Sequence, residues 1–418
     1  MKTKKNAADY STNQAFLRLL MWVIPLEIVT NIAHPFTPKL FTSLHMPDYM
    51  FGVSFASMAL ASFLFAPFWG KTADTHGRAR CLCVMSLGYA LGQLLFSLST
   101  TIWALVPARF LAGFFACANQ VCSMAYVSDI TTPDNRAKYM SYLAATITVS
   151  CATGYLLGGV LGDLSISLAF LVQIILMVLL GLGILLFLPE SYQADADRQT
   201  PYQPLQILRQ NNPIRLLSGS GKFLNGPVAV FLAVTFLASF GTYAFDQAFN
   251  YYIKAELDFP TTYNGVIKAT VGLIGLLMNV TVTVWLSHHT NIRLSAVGIL
   301  ALCGVFALSV AMVGNLNSFL VCSILYYCIN AMYLPVLQSL ATRCGARENS
   351  YGILAGMFNS TRNLGMMGGA LFAGFIYMLG SRLPFVWTAV VFILAAGFMA
   401  INVVQFRRRE AKQWAGNP

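Results

Sequence analysis

Two carboxylates, Glu27 and Asp246, each stand as the only charge within a long apolar stretch. Residues 19–38 contain no other Asp, Glu, Lys or Arg around Glu27, and residues 223–253 contain none around Asp246. A carboxylate in such surroundings is costly unless it faces protein or water. A group of this kind can take up and release a proton, which is the chemistry that couples a proton to another process.

Glu27 shares one helical face with Asn31 and His34, which follow it at i+4 and i+7. This polar face predicts that the helix lines a cavity. The alternative is that Glu27 forms a hydrogen bond that only holds two helices together. His34 alone is more typical of a structural residue than of a proton carrier. The prolines at 35 and 38 predict that the helix kinks or ends there, because proline lacks a backbone donor.

Asp246 is accompanied on its predicted helix by polar side chains and by two flanking rings: Tyr243, Phe245, Gln247, Phe249 and Asn250. These residue types favour a cavity in which Asp246 takes up and releases a proton. A static ion pair with Lys268 is the alternative. We favour a functional Asp246 that Lys268 modulates.

Two arginines also lie within apolar stretches. Arg109 is about seven residues from the start of its predicted helix, so it either extends to the outer interface or requires a counter-charge or carbonyl partners. Arg362 is about ten residues into its helix, and we expect it to pair with an acid, a substrate anion or both, or to form a fixed tie between helices. Other residues predicted to line the cavity are Asn119, Gln120, Tyr326, Asn330 and Asn359.

These residues must be positioned by membrane-spanning helices. The chain has 418 residues, of which 57% are hydrophobic and 10% charged, and its mean hydropathy is +0.65. This composition indicates an integral membrane protein. Apolar runs of about 20 residues predict an all-α membrane protein of about twelve spans, arranged as two six-helix bundles around a central cavity. The predicted spans are 16–40, 49–69, 81–99, 102–126, 139–161, 167–188, 228–251, 262–286, 294–313, 317–340, 352–378 and 384–405.

We predict three parts along the chain. Residues 1–188 form the first bundle, residues 189–226 a central cytoplasmic loop, and residues 227–418 the second bundle with a basic tail. Within the loop, residues 204–217 predict a short helix on the membrane surface.

The formal net charge of +11 is concentrated in the two tails and in the loops after even-numbered spans. This positive-inside distribution predicts a multi-pass protein of the cell membrane with both termini in the cytoplasm, and it argues against a nucleic-acid partner. We expect no cleavable signal peptide, because the first apolar run is a full span. The basic tail at 407–409 predicts an anchor at an anionic membrane surface.

No metal site or disulfide is expected from the nine cysteines, because Cys81-x-Cys83 has neither redox nor zinc spacing. The chain lacks a Gly-x-x-x-x-Gly-Lys-Ser/Thr loop. We therefore expect no cofactor, with a proton gradient rather than ATP as the energy source. An intramembrane enzyme would need a paired nucleophile and base, and no such pair is visible.

A charged turn after the second predicted span reads Gly70-x-x-x-Asp74-x-x-Gly77-Arg78-x-Arg80. Asp74 can pair with Arg78 or with a helix N-terminus, and the glycines permit a tight turn. This motif resembles the loop between the second and third spans of the major facilitator superfamily. The resemblance implies that these five residues latch the cytoplasmic face.

Other stretches resemble the same family. The turn Asp129-x-x-x-Pro133-x-x-Arg136-x-Lys138 is similar to its cytoplasmic turn between spans 4 and 5, which makes Arg136 a candidate partner of Asp74. Arg109-x-x-x-Gly113 resembles its span 4 element and implies a place for Arg109 near the proton path. Gly154-x-x-x-Gly158-Gly159-x-x-Gly162 partly resembles an antiporter element, although Gly159 replaces a proline and Asp163 replaces the last glycine.

The seventh span resembles that of bacterial multidrug-efflux members, in which a carboxylate occupies the Asp246 position. Where such relatives often carry a second acid in span 10, this chain has Asn330 and Ala331. Asp246 and Glu27 are therefore the candidate proton carriers, and the antiporter direction is less well supported than the fold.

We predict a monomeric, proton-coupled efflux transporter of small hydrophobic or amphiphilic molecules, related to the twelve-span drug:proton antiporters. The first alternative is a flippase or exporter of an anionic amphiphile, such as a lipid-linked glycan or organic anion, because three membrane-embedded cations face only two acids. The second is a non-transporting membrane receptor, which would require a larger soluble domain than the polar stretches provide.

Overall fold

The computed structural model describes residues 2–132, 134–191, 226–347 and 351–415. Within these ranges the secondary structure is helical, with no β-strand. Ten helical segments of the described residues are long and apolar enough to cross a membrane. The protein is therefore an all-helical, multi-pass membrane protein, as its composition predicts.

The helices before residue 192 are α1 (Lys2–Asn31), α2 (Thr37–Ser43), α3 (Met50–His76), α4 (Arg78–Leu98), α5 (Ile102–Ile130), α6 (Arg136–Leu164) and α7 (Ile166–Phe187). Those after it are α8 (Gly226–Ala255), α9 (Thr261–Met278), a π-helical turn (Asn279–Thr283), α10 (Val284–His289), α11 (Ile292–Met312), α12 (Leu316–Asn330), α13 (Tyr333–Arg347), α14 (Tyr351–Tyr377) and α15 (Leu383–Ala415). The surface helix predicted at 204–217 lies outside the described residues, as do the side chains of the basic tail at 407–409.

Two predicted spans are interrupted. The span at 16–40 is divided into α1 and α2, because the chain turns at residues 32–36 next to Pro35 and Pro38. The span at 317–340 is divided into α12 and α13 by a break at residues 331–332. Pro335 then lies in the first turn of α13, where a missing backbone donor breaks no hydrogen bond within the helix.

Neither α1 nor α14 is among these ten segments of the described residues. Both are long enough to span a bilayer, with 30 and 27 residues. Their hydropathy is reduced by the polar residues of interest, Glu27 and Asn31 in α1 and Asn359 and Arg362 in α14. The candidate site residues therefore make these two helices less apolar than the other long helices.

The chain forms two compact units that do not follow sequence order strictly. The first unit contains Met1–Met46, Leu60–Asn212 and Asp258–Leu273. The second contains Pro47–Ala59, Pro213–Leu257 and Ile274–Pro418. The start of α3 thus packs with the second unit, and the start of α9 packs with the first.

Asp163 explains why the start of α9 lies in the first unit. Its carboxylate accepts hydrogen bonds from the backbone N–H groups of Thr261 at 2.7 Å and Thr262 at 2.8 Å, and from the Thr261 hydroxyl at 2.5 Å. An acid that accepts the free N–H groups of a helix N-terminus is stabilising. The Asp163 that replaces the family's glycine is therefore the cap of α9.

Glycines allow the helices that carry the candidate sites to pack against their neighbours. A Cβ at Gly158 of α6 would lie 2.0 Å from the backbone oxygen of Ile32, which directly follows α1. In the second unit, a Cβ at Gly369 of α14 would lie 2.1 Å from the backbone oxygen of Phe240 in α8. Only glycine permits these approaches, so they fix α1 against α6 and α8 against α14.

Candidate functional site

Glu27 is buried in the first unit, with 7% of its surface exposed. The amide nitrogen of Asn119 in α5 donates to its Oε1 at 2.9 Å, and the Cys151 thiol in α6 lies 3.8 Å from its Oε2. Asn31 completes the group, because its side chain donates to the Glu27 carbonyl oxygen at 2.8 Å and to Cys151 Sγ at 3.2 Å. All these partners are neutral, and none of the salt bridges in the described ranges includes Glu27.

The structure brings two of the predicted cavity residues, Asn31 and Asn119, to Glu27. Asn31 and Asn119 contact Glu27 or its backbone, whereas the His34 ring packs against Tyr155 at 5.8 Å between centroids. Gln120 is exposed. Cys151 is the member that sequence reasoning missed, because a cysteine in an apolar helix is indistinguishable from a small packing residue.

Arg109 is buried, with 3% of its surface exposed, so it does not extend to the interface. Its guanidinium donates to the Thr37 hydroxyl at 3.0 Å and lies over the Phe96 ring at 3.7 Å from the centroid. Tyr89 lies nearby, and its hydroxyl donates to the Thr30 carbonyl oxygen at 2.9 Å and accepts from Gln93 at 2.6 Å. This network connects α4 and α5 to the end of α1.

Asp246 lies in the second unit and is partly exposed. The Tyr327 hydroxyl of α12 donates to its Oδ1 at 3.1 Å. One turn earlier in α8, the Thr242 hydroxyl accepts from Asn330 at 3.0 Å, and Asn330 also lies 3.4 Å from the Tyr326 hydroxyl. The Tyr327 hydroxyl therefore connects the acid of the second unit, on α8, to α12.

Phe245 and Phe249, predicted to flank a cavity, are instead core residues of the second unit, 0% and 1% exposed. Phe245 stacks on Tyr326 with 3.7 Å between ring centroids, and Phe249 stacks on Phe319 at 5.8 Å. Phe245 and Phe249 are four residues apart, so both rings lie on the side of α8 that packs against α12. Asp246 follows Phe245 in the sequence and therefore lies on an adjacent side of the helix.

Arg362 of α14 interacts with the phenols of Tyr243 and Tyr333, all within the second unit. Tyr243 also packs its ring against Phe55 at 5.5 Å. Asn359 is exposed one turn before Arg362, while Gln247, Asn250 and Lys268 are partly exposed. Lys268 belongs to the first unit and Asp246 to the second.

The charged motif is more helical than the hairpin that its composition predicts. α3 continues to His76 and α4 begins at Arg78, so only Gly77 breaks the helix, with φ of 98°. Arg78 pairs with Asp74 at 2.7 Å and with Asp129 of α5 at 3.0 Å. The predicted Asp74 to Arg78 pair is therefore present, and Asp129 is an additional member.

Arg136 does not pair with Asp74, contrary to the prediction. Its guanidinium donates to the Ser128 carbonyl oxygen at 3.2 Å, near the C-terminus of α5, where a cation is favourable. Asp74 already has Arg78 as its partner at i+4. Arg80 is exposed, and Gly70 lies in ordinary packing with Val121 at 3.7 Å.

Glu190, after the end of α7, was not predicted in this cluster. Its Oε1 accepts from the backbone N–H of Arg78 at 2.5 Å, and its Oε2 accepts from that of Ala79 at 3.2 Å. The carboxylate therefore caps α4. A Cβ at Gly77 would lie 2.2 Å from Glu190 Oε2, so glycine is needed for both the conformation and the space.

The model of the Major Facilitator Superfamily matches residues 24–366 of this chain. The tetracycline resistance protein, class H, of Pasteurella multocida is 25% identical over 404 residues, covering 94% of this chain and 95% of the relative. Multidrug resistance protein 2 of Bacillus subtilis (strain 168) is 23% identical over 401 residues, covering 95% and 97%. The crystal structure of a human organic anion transporter has a TM-score of 0.64 and 19% identity, covering 94% and 99%.

The family match spans most of the chain, and the curated relatives align over nearly their whole length. The described helices agree with this assignment. The chain therefore belongs to the Major Facilitator Superfamily and is a multi-pass membrane transporter rather than an enzyme.

Proposed function

We propose that this transporter exports small hydrophobic or amphiphilic molecules across the cell membrane in exchange for protons. In this proposal about twelve helices form two six-helix bundles, with 1–188 and 227–418 as the two halves, and a central cavity opens alternately to each side. Both termini are cytoplasmic, the protein acts as a monomer within membrane lipid, and the proton gradient supplies the energy without a cofactor. The tetracycline and multidrug resistance proteins among its relatives support this substrate class.

The observation that carries the proposal is the neutral environment of Glu27. Its described partners are an amide and a thiol, so no cation is left unpaired when the carboxyl group gains a proton. A structural carboxylate inside a membrane protein is usually paired with a cation instead. Glu27 is thus equipped to exist in both protonation states.

Protonation of Glu27 would change the contacts between three helices. An ionised carboxylate only accepts hydrogen bonds, whereas a protonated one also donates. Asn119 lies in α5 and Cys151 in α6, so the rearranged hydrogen bonds would alter how α1 packs against both. A bias of about 1.4 kcal/mol between two conformers changes their ratio tenfold, so a modest change suffices to couple a proton to alternating access.

The test compares purified wild type and Glu27→Gln in proteoliposomes, with tetracycline as the probe. Glutamine keeps the volume and the hydrogen bond from Asn119 but cannot titrate. We expect Glu27→Gln to lose tetracycline accumulation driven by a pH gradient and to retain tetracycline exchange without a gradient.

Glu256→Gln is the matched control, because Glu256 lies in the loop after α8 and its Oε1 accepts from Tyr377 at 3.3 Å. This variant should behave as wild type in both assays. Gradient-driven accumulation at the wild-type level by Glu27→Gln would show that Glu27 is not the proton carrier.

A further inference from the structure

Within the described part of the chain, Arg362 forms no salt bridge with a carboxylate. None of the salt bridges within the described ranges includes it, and the groups that interact with its guanidinium are the phenols of Tyr243 and Tyr333. Its Nε is buried and has no hydrogen-bond partner. The guanidinium therefore keeps donor capacity that the surrounding protein does not use.

A cation in a membrane protein normally pairs with an anion, because removing a charge from water is costly. The guanidinium has five N–H donors in a planar fork that matches a carboxylate, sulfonate or phosphate. Each phenol hydroxyl is a donor as well. Together the guanidinium and the two phenols offer several N–H and O–H donors, an arrangement that suits an anion.

The position of this group is fixed by backbone contacts. A Cβ at Gly365, one turn after Arg362, would lie 2.5 Å from the Phe236 backbone oxygen in α8. α14 and α8 are therefore held close together, with Arg362 on one and Tyr243 on the other. Little reorganisation is required before an anion binds, which favours affinity.

The neighbouring side chains suit an amphiphile rather than a small inorganic anion. The Tyr243 ring packs against Phe55, so aromatic surface lies beside the charged group. Arg362 is partly exposed, and Asn359 is exposed one turn earlier on the same helix, which leaves a path to the guanidinium. An anionic head at Arg362 would place an apolar or aromatic body against these rings.

We propose that Arg362, Tyr243 and Tyr333 form a binding site for the anionic head group of an amphiphilic substrate. The proposal deepens the proposed function, since it assigns the charge class of a substrate of the same transporter. Arg362 binds the head group, and the two tyrosines orient the guanidinium and donate to the anion.

The experiment measures equilibrium binding to the purified full-length protein in detergent by calorimetry. The probes are 2-naphthoate, 2-naphthamide and 2-naphthylmethylammonium, which share one ring and carry an anionic, neutral or cationic group. We expect wild type to prefer 2-naphthoate, and Arg362→Gln to weaken its binding about tenfold or more while leaving the amide unchanged. Arg362→Lys should lose less, because it keeps the charge without the fork.

Two further variants guard against a general effect on folding. Tyr333→Phe removes one hydroxyl and should weaken 2-naphthoate selectively, with a smaller loss. Arg382→Gln is the matched control, since Arg382 donates to the Val313 carbonyl oxygen at 2.7 Å in the same unit, and it should leave all three affinities unchanged.

An equal loss of all three probes in Arg362→Gln and Tyr333→Phe, or no preference of wild type for 2-naphthoate, would overturn the anion site. If Arg362→Gln does not fold, wild-type affinity of Tyr333→Phe for 2-naphthoate would also overturn the anion site. Binding requires no gradient, so this failure is distinct from a failure of proton coupling, which the Glu27→Gln transport assay detects separately.

Discussion

Glu27 and Asp246 accept hydrogen bonds from different chemical groups. Glu27 is enclosed by an amide and a thiol, and Asp246 accepts from a phenol while remaining partly exposed. Glu27 thus needs a conformational change to meet water, whereas Asp246 does not. This difference favours Glu27 as the group that couples the proton to a change of packing, with Asp246 nearer the substrate.

Asp246→Asn tests that division of roles. Asparagine preserves the volume and can still accept from Tyr327, so we expect a folded protein with an unchanged thermal unfolding midpoint. Removal of the charge should reduce gradient-driven tetracycline transport at least tenfold. Both quantities are measured on the purified protein, the first in detergent and the second in proteoliposomes.

Asp48→Asn is the control for this change, because Asp48 Oδ1 also accepts from a tyrosine hydroxyl, that of Tyr251 at 2.7 Å. It lies ahead of α3 and should have little effect on transport. If Asp246→Asn transports as well as Asp48→Asn, Asp246 has only a structural role.

Spacing along one helix was sufficient to predict part of the sites. Glu27 and Asn31 are four residues apart, so their common face follows from helix geometry. The contact between Cys151 and Glu27 depends on how α6 packs against α1. Spacing within a single helix carries no information about this packing. For the same reason the phenol partners of Arg362 could not be predicted. On electrostatic grounds, an acid, a substrate anion or both were expected instead.

At the scale of elements, the junction between α3 and α4 depends on one residue. Gly77 has φ of 98° and ψ of 157°, a conformation essentially restricted to glycine. The capping carboxylate of Glu190 occupies the space of its absent side chain. The glycine therefore sets both the turn and the cap of α4.

Gly77→Ala should destabilise the protein by about 1–3 kcal/mol, because backbone strain adds to displacement of Glu190. Gly70→Ala is the matched control in the same motif, since a Cβ there would make an ordinary contact with Val121 at 3.7 Å. It should be neutral or stabilise by about 0.5–1 kcal/mol. Thermal unfolding in detergent provides the comparison, and equal shifts for the two variants would contradict the role of Gly77.

The motif predicted the Asp74 to Arg78 pair because the two residues are four apart on what could be one helix. It did not predict that α3 would continue through the charged residues to His76. Local composition favoured a water-exposed turn, whereas the helix in fact extends past the apolar segment. Charged residues mark where a span leaves hydrocarbon, and they do not by themselves end a helix.

At the scale of the whole molecule, composition predicted the class, and the family match confirms it. The sequence did not predict that the second compact unit contains Pro47–Ala59 or that the first contains Asp258–Leu273. Apolar spans pack through shape and small residues, so an apolar surface does not specify which helix it contacts. Asp163 provided a polar signal for one of these contacts, although its partner at Thr261 was not predictable from spacing.

The central claim, that export is coupled to protons, is tested most directly by substrate-driven proton movement. Wild-type protein is reconstituted in vesicles with a trapped pH indicator and no initial pH gradient, and tetracycline is added outside. We predict a pH change that reports protons moving opposite to tetracycline, absent in Glu27→Gln and present in Glu256→Gln. Tetracycline entry by the wild type without any proton movement would contradict the account.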